Sequence, residues 1–452
     1  MAQEKKIRIL ILGGGFGGLY TALELERRLA RLPQVEVTLV NRDNFFLFTP
    51  MLHEVAASDL DPTDIVNPIR KLLRRVQFFA GSVREIDLKE RKVRVFHGDG
   101  DHEHELLYDH LVIALGSVPN FLNLPGVEEH SITMKSLEDA VTLRSRLIEH
   151  LEEADFECCP ALRDRLLTFV VAGAGFAGVE TIAAASDFVR EALRFYPNLR
   201  EEMVRFILVE YAPRILPELD SRLGAYAQTK LEEGGIEVRL KTAIAALTEA
   251  GVELSDGTFI ETKTLIWTAG TAPNPLLAAL PCRKEKGKLV AESTMQVPGW
   301  PEVWALGDCA AIRDPRTGEL YPATAQHALR QGRVLARNLI ATIEGRAPQP
   351  FAFSTIGQLA AIGRRTGVAS IMGINFSGFV AWWLWRTIYL SKLPRLEKKI
   401  RVALGWTLDL LFSKDLVQLG ALPASARRRL QAHPDLHGPP GRAAATAEVA
   451  AP

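Results

Sequence analysis

The stretch "ILGGGFGGLYTALEL", residues 11–25, decides the fold. It continues an apolar run that begins at Ile7 and reads as a buried β-strand. Gly13, Gly15 and Gly18 then stand at GxGxxG spacing, and helix-forming residues follow. Each glycine answers a physical need. Gly13 permits the tight turn, Gly15 lets a pyrophosphate approach the backbone, and Gly18 lets the helix pack on the strand. Phosphates then rest on a helix N-terminus, where unpaired N–H groups and the helix dipole favour anions. "VEVTLVN", residues 35–41, supplies the next strand, which completes a βαβ opening.

The unit recurs. "LLTFVVAGAGFAGVETIAAA", residues 166–185, carries Gly173, Gly175 and Gly178 at the same spacing, and "VRFILVE" follows as its next strand. Gly173 lies 160 residues after Gly13, which marks a duplicated domain and not a solenoid repeat. One GxGxxG is a weak signal; two in strand–turn–helix context argue for two dinucleotide sites. The strand after each fingerprint should end in a group that holds a ribose. In the second unit this is Glu210, whose carboxylate accepts a 2′-hydroxyl and repels a 2′-phosphate, so NADH is favoured over NADPH. The first unit offers Asn41 instead of an acid, with Arg42 and Asp43 beside it to share the work.

Composition narrows the rest. The chain has 452 residues and net charge +0, so no global field selects nucleic acid. Its four cysteines, Cys158, Cys159, Cys282 and Cys309, form no CxxC pair, so neither a zinc ribbon nor a dithiol motif is available. Reduced thiols in a cytosolic protein, and no metal, are expected. No signal peptide is read at the N-terminus. No run of about 18 apolar residues occurs; the longest candidate, residues 376–390, is shorter and carries Arg386.

With these pieces in place the chain resembles the two-dinucleotide-binding-domain flavoproteins, and within them the type II NADH:quinone oxidoreductases. The resemblance runs over about residues 7–420 through "ILGGGFGGL", "YDHLVIALGS" with Gly116, "GAGFAGVE", "IWTAG" with Gly270, "ALGDC", "PATAQHALRQG" and "GQLAAIGRR". It implies that the first fingerprint holds FAD and the second NADH, and that Gly307 and Asp308 contact the flavin's ribitol and phosphates. "PATAQHALRQG" is similar to the family's AQxAxQQ motif at the flavin and quinone site. Ala325, Gln326, Ala328 and Gln331 match it, while Arg330 replaces a glutamine. A helix is expected from near Ala323, with its N-terminus toward the flavin and Gln326 toward a quinone carbonyl. His327 is expected to be partly exposed and without a role. The resemblance also sets Glu180 near nicotinamide and flavin, to position the one or relay a proton.

The expected architecture is α/β, with two Rossmann-like domains, the NADH domain being inserted in the FAD domain, plus a C-terminal amphipathic membrane-surface region. Residues 1–125 and 286–345 would form the FAD-binding domain, 126–165 a connector, and 166–285 the NADH-binding domain. Residues 346–431 would associate with the membrane and 432–452 would be a disordered tail. A sulfide:quinone oxidoreductase is the competing enzyme, but it needs a cysteine pair at the flavin, and no cysteine follows Cys309. A disulfide reductase fails for want of CxxxxC after the first fingerprint. A flavin-dependent redox-responsive binding protein is the alternative from another class; turnover with a soluble quinone separates the two.

The acceptor is read from residues 376–429. "FSGFVAWWLWRTIYL" reads as a helix opened by Ser377, and "LEKKIRVALGWTLDLLF" as a second, with Ile400, Ala403, Leu404, Leu408 and Leu411 on one face. Four of seven tryptophans lie between 382 and 406, and ten Lys/Arg face three Asp/Glu from 386 to 429. Aromatics beside cations suit a lipid headgroup boundary. Trp382, Trp383 and Trp385 are expected in that interface, with Arg386 near the phosphates, and a homodimer face can coexist with it. The cytoplasmic face of a bacterial inner membrane, a quinone acceptor and no proton pumping complete the expectation.

Overall fold

The computed structural model describes residues 6–98 and 102–418. The expected disordered tail, and residues 419–431 of the expected membrane region, lie outside the described residues.

The first sheet has six strands, in the order Gln296–Val297, Trp300–Ala305, His110–Ile113, Ile7–Leu12, Val35–Asn41, Gln77–Ala80. All but the Gln296–Val297 edge pair in parallel. Ile9, Leu10, Ile11 and Leu12 are buried in sequence, as a parallel strand covered on both faces requires. The register Ile7↔Val35 aligns the carboxyl ends of these strands, so Leu12 and Val40 lie side by side at the start of the glycine turn. The second sheet is parallel throughout, in the order Ile132–Thr133, Thr264–Trp267, Thr168–Ala172, Arg205–Glu210, Ile236–Leu240.

The insertion is visible in the pairing. Val303 pairs with Leu111, although the whole second sheet lies between them in the chain. A short antiparallel ribbon, Ser117–Pro119 with Thr271–Pro273, marks the exit and the return. The hairpin Lys284–Glu285 with Lys288–Ala291 straddles the boundary expected at 285, and its second strand pairs with Ala310–Ile312. The chain is therefore two dinucleotide-binding domains in an α/β fold, the second inserted in the first.

Seven helices position the site: α1 (Phe16–Glu26), α2 (Leu52–Ala56), α3 (Leu137–Phe156), α4 (Phe176–Ala192), α5 (Ala325–Ile343), α6 (Gly378–Lys392) and α7 (Leu396–Leu408). α3 starts with a full capping box, in which Ser136 and Asp139 satisfy each other's backbone N–H groups. α5 crosses α1 so closely that a Cβ on Gly332 would stand 2.5 Å from the Gly17 carbonyl oxygen. That approach fixes the N-terminus of α5 at the cofactor end of the first sheet.

After α5 the chain forms a three-stranded antiparallel meander, Gly357–Ala361, Gly367–Ile371 and Ile374–Ser377, with α6 packed on its middle strand. Here one expectation is corrected. Trp385 is 1% exposed, and its neighbour Arg386 points inward, 4.4 Å from the Trp382 ring and 4.6 Å from the Trp406 ring. Neither meets a lipid boundary. α6 is apolar around most of its circumference, so its sequence does not choose a face. The choice falls to buried acceptors deeper in the molecule, which draw in the indole N–H groups of Trp385 and Trp406. In α7 the inward residues are Lys398, Val402 and Trp406; Ile400, Leu404 and Leu408 face outward.

Candidate active site

Both fingerprints form the cradle their spacing demands. Gly13 has φ +101°, and a Cβ there would stand 2.3 Å from the Ala114 carbonyl oxygen; Gly173 repeats this with φ +96°. A Cβ on Gly18 or Gly178 would stand 1.8 Å from the carbonyl oxygen of Gly13 or Gly173. The middle glycines differ: nothing lies within 4 Å of a Cβ position on Gly15 or Gly175. These two are the N-caps of α1 and α4, with no side-chain cap and no acid in the first turn. An open backbone and free N–H groups at a helix N-terminus fit a pyrophosphate.

The residues ending the next strands do the same job in both units. Asn41 accepts from the Gly14 N–H at 2.7 Å through Oδ1, and its Nδ2 donates to the Asp43 carbonyl oxygen at 2.8 Å. Glu210 accepts from the Ala174 N–H at 2.5 Å and from the Ala212 N–H at 2.8 Å. Each locks its glycine turn. Glu210 does so with a charge, Asn41 without one. Arg42 is exposed and pairs with Asp43 at 3.3 Å, so it stands off the cradle.

Gly116 and Gly307 adopt φ +67° and +72°, one near each end of the exit from the first sheet. Asp308 accepts from the Ser117 hydroxyl at 2.8 Å, and Lys135 donates to the same hydroxyl at 2.9 Å. Gly270 sits at the ribbon, a Cβ there being 3.6 Å from the Asn120 carbonyl oxygen. Gln331 is buried, and its amide oxygen accepts from the Gly307 N–H at 2.9 Å. It holds the Gly307–Asp308 turn and does not join Gln326 at a substrate face, because five residues of helix turn it to a different side. His327 is likewise buried, not partly exposed. Its ring packs between Tyr321 and Phe353, and Nδ1 meets the Thr324 hydroxyl at 2.7 Å. Burial holds its imidazole down at about 4.

A cavity of about 620 Å³ is lined by residues that follow each fingerprint and by the start of α5. Phe16 and Phe176, each following the GxG of its fingerprint, both line it, so the two cradles open on one space. Ala325 and Gln326 enter from the first turn of α5, which Thr324 caps by accepting from the His327 N–H. The Gln326 amide donates to the Gly357 carbonyl oxygen at 3.2 Å. Arg330 lines the cavity too, its guanidinium 4.2 Å from the Phe353 ring centroid. Leu52, Leu329, Leu359 and Ile388 make most of the wall apolar, which suits flat aromatic rings.

One wall is acidic. Glu180 is buried; it accepts from the Trp385 indole N–H at 2.8 Å and from the Ala361 N–H at 3.1 Å. Burial pushes its carboxyl up to about 8, against the pull of those donors. His53 Nδ1 lies 3.7 Å from Glu180. Burial, helped by Arg386 and Lys414, holds the imidazole down at about 3. At neutral pH the acid keeps its proton and the imidazole is neutral, so their contact is no ion pair. Beside them Glu54 accepts from the Trp406 indole N–H at 3.1 Å, with Arg386 at 3.9 Å, and burial pushes it up to about 8 as well. Sequence reasoning missed His53 and Glu54. Their only signal is an ionisable pair inside the otherwise apolar run "MLHEVAA".

Comparisons with known proteins bear on the family and the fold. The pyridine nucleotide-disulphide oxidoreductase family matches residues 7–332, and the NDH2 C-terminal domain matches residues 356–415. The type II NADH:quinone oxidoreductase of Mycobacterium tuberculosis is 31% identical over 99% of this chain and 97% of its own. The demethylphylloquinone reductase of Synechocystis is 34% identical over 89% of this chain and 96% of its own. NDH2 from Plasmodium falciparum, solved in complex with NADH, has a TM-score of 0.85 at 18% identity, over 91% of this chain and 100% of that one. That last likeness speaks to the fold.

The Trp385 indole stabilises the ionised form of Glu180, so its loss should favour the protonated form. In Trp385→Phe the Glu180 carboxyl should titrate about one pH unit higher, as a hydrogen bond to a charged group is worth roughly 1.5 kcal/mol. The carboxyl infrared band absent from Glu180→Gln reports this; an unmoved midpoint contradicts the assignment.

Proposed function

Since the chain belongs to the type II NADH:quinone oxidoreductases, we propose how its own residues divide the work of oxidising NADH and reducing a quinone. FAD and NADH are the cofactor and substrate that this family uses. The first cradle fits FAD: Gly13, Gly15 and Gly18 receive the pyrophosphate, and Asn41 stands at the ribose. Gly116, Gly307 and Asp308 take the ribitol and phosphates, and Ala325 and the N-terminus of α5 take the pyrimidine edge. The second cradle, Gly173, Gly175 and Gly178 with Glu210, fits NADH. When bound, FAD supplies the two-electron chemistry, taking a hydride equivalent from NADH and reducing the quinone.

The protein's part is to bind, orient and keep a proton in place. The observation that carries the reading is the shared cavity, which both fingerprint phenylalanines line beside the buried Glu180. Glu180 holds the proton that a reduced quinone oxygen needs, and Gln326 offers its amide to a quinone carbonyl. The apolar wall excludes water from the exchange.

The quinone reaches this cavity from a membrane surface. Ile388, Tyr389 and Lys392 of α6 line the cavity, and the same helix turns Phe379, Val380 and Trp383 outward, each more than half exposed. On α7, Leu396, Ile400, Leu404 and Leu408 recur every four residues, exposed at 71%, 52%, 58% and 52%. An outward apolar stripe with Lys399 and Arg401 beside it suits headgroups and acyl chains. No helix among the described residues is long and apolar enough to cross a membrane, and the outward stripes suit a peripheral attachment. A bacterial inner membrane, entered from its cytoplasmic face, completes the proposal, and a homodimer face can coexist with it.

Stopped-flow spectroscopy of the purified protein tests the chemistry. NADH should bleach the flavin rapidly, NADPH at least tenfold more slowly because Glu210 repels its 2′-phosphate, and sulfide not at all. Bleaching by sulfide but not NADH would overturn the reading. For the membrane, Trp383→Glu combined with Leu404→Glu should move the protein to the soluble fraction and lower turnover of long-tailed quinone. Bleaching by NADH should stay intact. Unchanged fractionation contradicts the outward stripes as the contact.

A further inference from the structure

A second cavity, of about 440 Å³, meets the first at His53 and Glu180, which line both. Its walls differ in kind. Where the first is apolar, this one is ionisable, with Glu54, Asp59, Asp187 and Asp409 facing Arg386 and Lys414. Arginines from α4 and from the meander turn, among them Arg190 and Arg364, stand at it with Glu191. Three buried polar atoms of its lining have no hydrogen-bond partner in the protein: His53 Nε2, Arg386 Nε and Asp409 Oδ2. Buried polar atoms in folded proteins are hydrogen-bonded, and in a charged cavity of this size the fitting partner is water.

We propose that this second cavity is a proton inlet, through which Glu54 and His53 restore the proton of Glu180 after each quinone reduction. The inference rests on the reading of Glu180 as the proton donor. The balance is NADH + H⁺ + quinone giving NAD⁺ + quinol. Two electrons and one proton come from NADH as a hydride equivalent. The second proton leaves the Glu180 carboxyl, breaking its O–H bond as a quinol O–H bond forms. A carboxylate is then left in a buried wall, unstable until it is protonated again.

The groups facing it determine where that proton comes from. Tyr389, on α6, is partly buried and desolvation pushes its phenol well above its ordinary range, so it does not supply one. His53 is neutral, with Nδ1 3.7 Å from Glu180 and Nε2 unpartnered, so it can accept at one nitrogen and release from the other. Glu54 lies in the second cavity and keeps its proton at neutral pH, as burial dictates. Arg386 stands 3.9 Å from it, held between the rings of Trp382 and Trp406, and makes its proton easier to release. Asp187 and Asp409 follow, each pushed by burial up to about 6, where a carboxyl exchanges protons readily with water. Lys414 pairs with Asp59 at 2.7 Å. Acid strength thus falls from the aspartates to Glu54, which draws a proton inward, and neutral His53 passes one on by accepting at one nitrogen as it releases from the other.

The test uses the holoenzyme. In Glu54→Gln, bleaching by NADH should be unchanged. Reoxidation by a short-tailed quinone should slow roughly tenfold or more, with a larger solvent deuterium isotope effect, and formate should partly restore it. Independently of turnover, the Glu180 infrared band should exchange its proton for deuterium more slowly than in the native protein. Glu54→Asp, which keeps a carboxyl, should retain both rates. If Glu54→Gln does not fold around the unpaired Arg386, Asp187→Asn decides by the same two readouts. Native rates of reoxidation and exchange overturn the proposal, and so does a slow variant that formate leaves slow. Glu180→Gln separates the failure of the underlying reading: native reoxidation in that variant removes Glu180 as donor, whatever Glu54 does.

Discussion

The carboxyl of Glu180, held between the indole N–H of Trp385 and the backbone N–H of Ala361, is the contact on which the site depends. It joins three parts of the chain: the helix of the second fingerprint, the C-terminal meander and α6. A carboxylate buried this deeply would be costly, and two donors do not replace bulk water. The group therefore stays protonated at neutral pH, and one interaction both docks the C-terminal region and stores a proton at the cavity.

The geometry around it follows from duplication. Two βαβ units deliver two open helix N-termini, and the insertion of one sheet in the other brings Phe16 and Phe176 to the same space. α5 reaches that space because Gly332, lacking a side chain, lets its helix touch the Gly17 carbonyl of α1. The four cysteines take no part: all are free, and Cys309 is buried with its thiol donating to the carbonyl oxygens of Ile113 and Leu306.

What the sequence made legible was local. Glycine spacing, the strand-end Asn41 and Glu210, and the position of Glu180 just past a fingerprint are all fixed by residues close in the chain. What it hid was tertiary. His53 and Glu54 come from a five-residue helix whose partners lie more than a hundred residues away. Trp383 and Trp385 are equally apolar, and only a buried acceptor decides which turns inward. Gln331 matched a motif, yet the periodicity of α5 gives it the Gly307 turn instead of the substrate. α7 inverted the usual rule: its leucines face outward, and a lysine, a valine and a tryptophan face in.

The most direct measurement is the pH dependence of flavin reoxidation by quinone, followed in single turnover for the native protein and for Glu180→Gln. Because burial raises the carboxyl to about 8, its proton is present below that pH and lost above it. The account predicts a native rate that falls as pH rises through about 8, and a slower variant rate with no such limb. Identical pH profiles in the two proteins would contradict it.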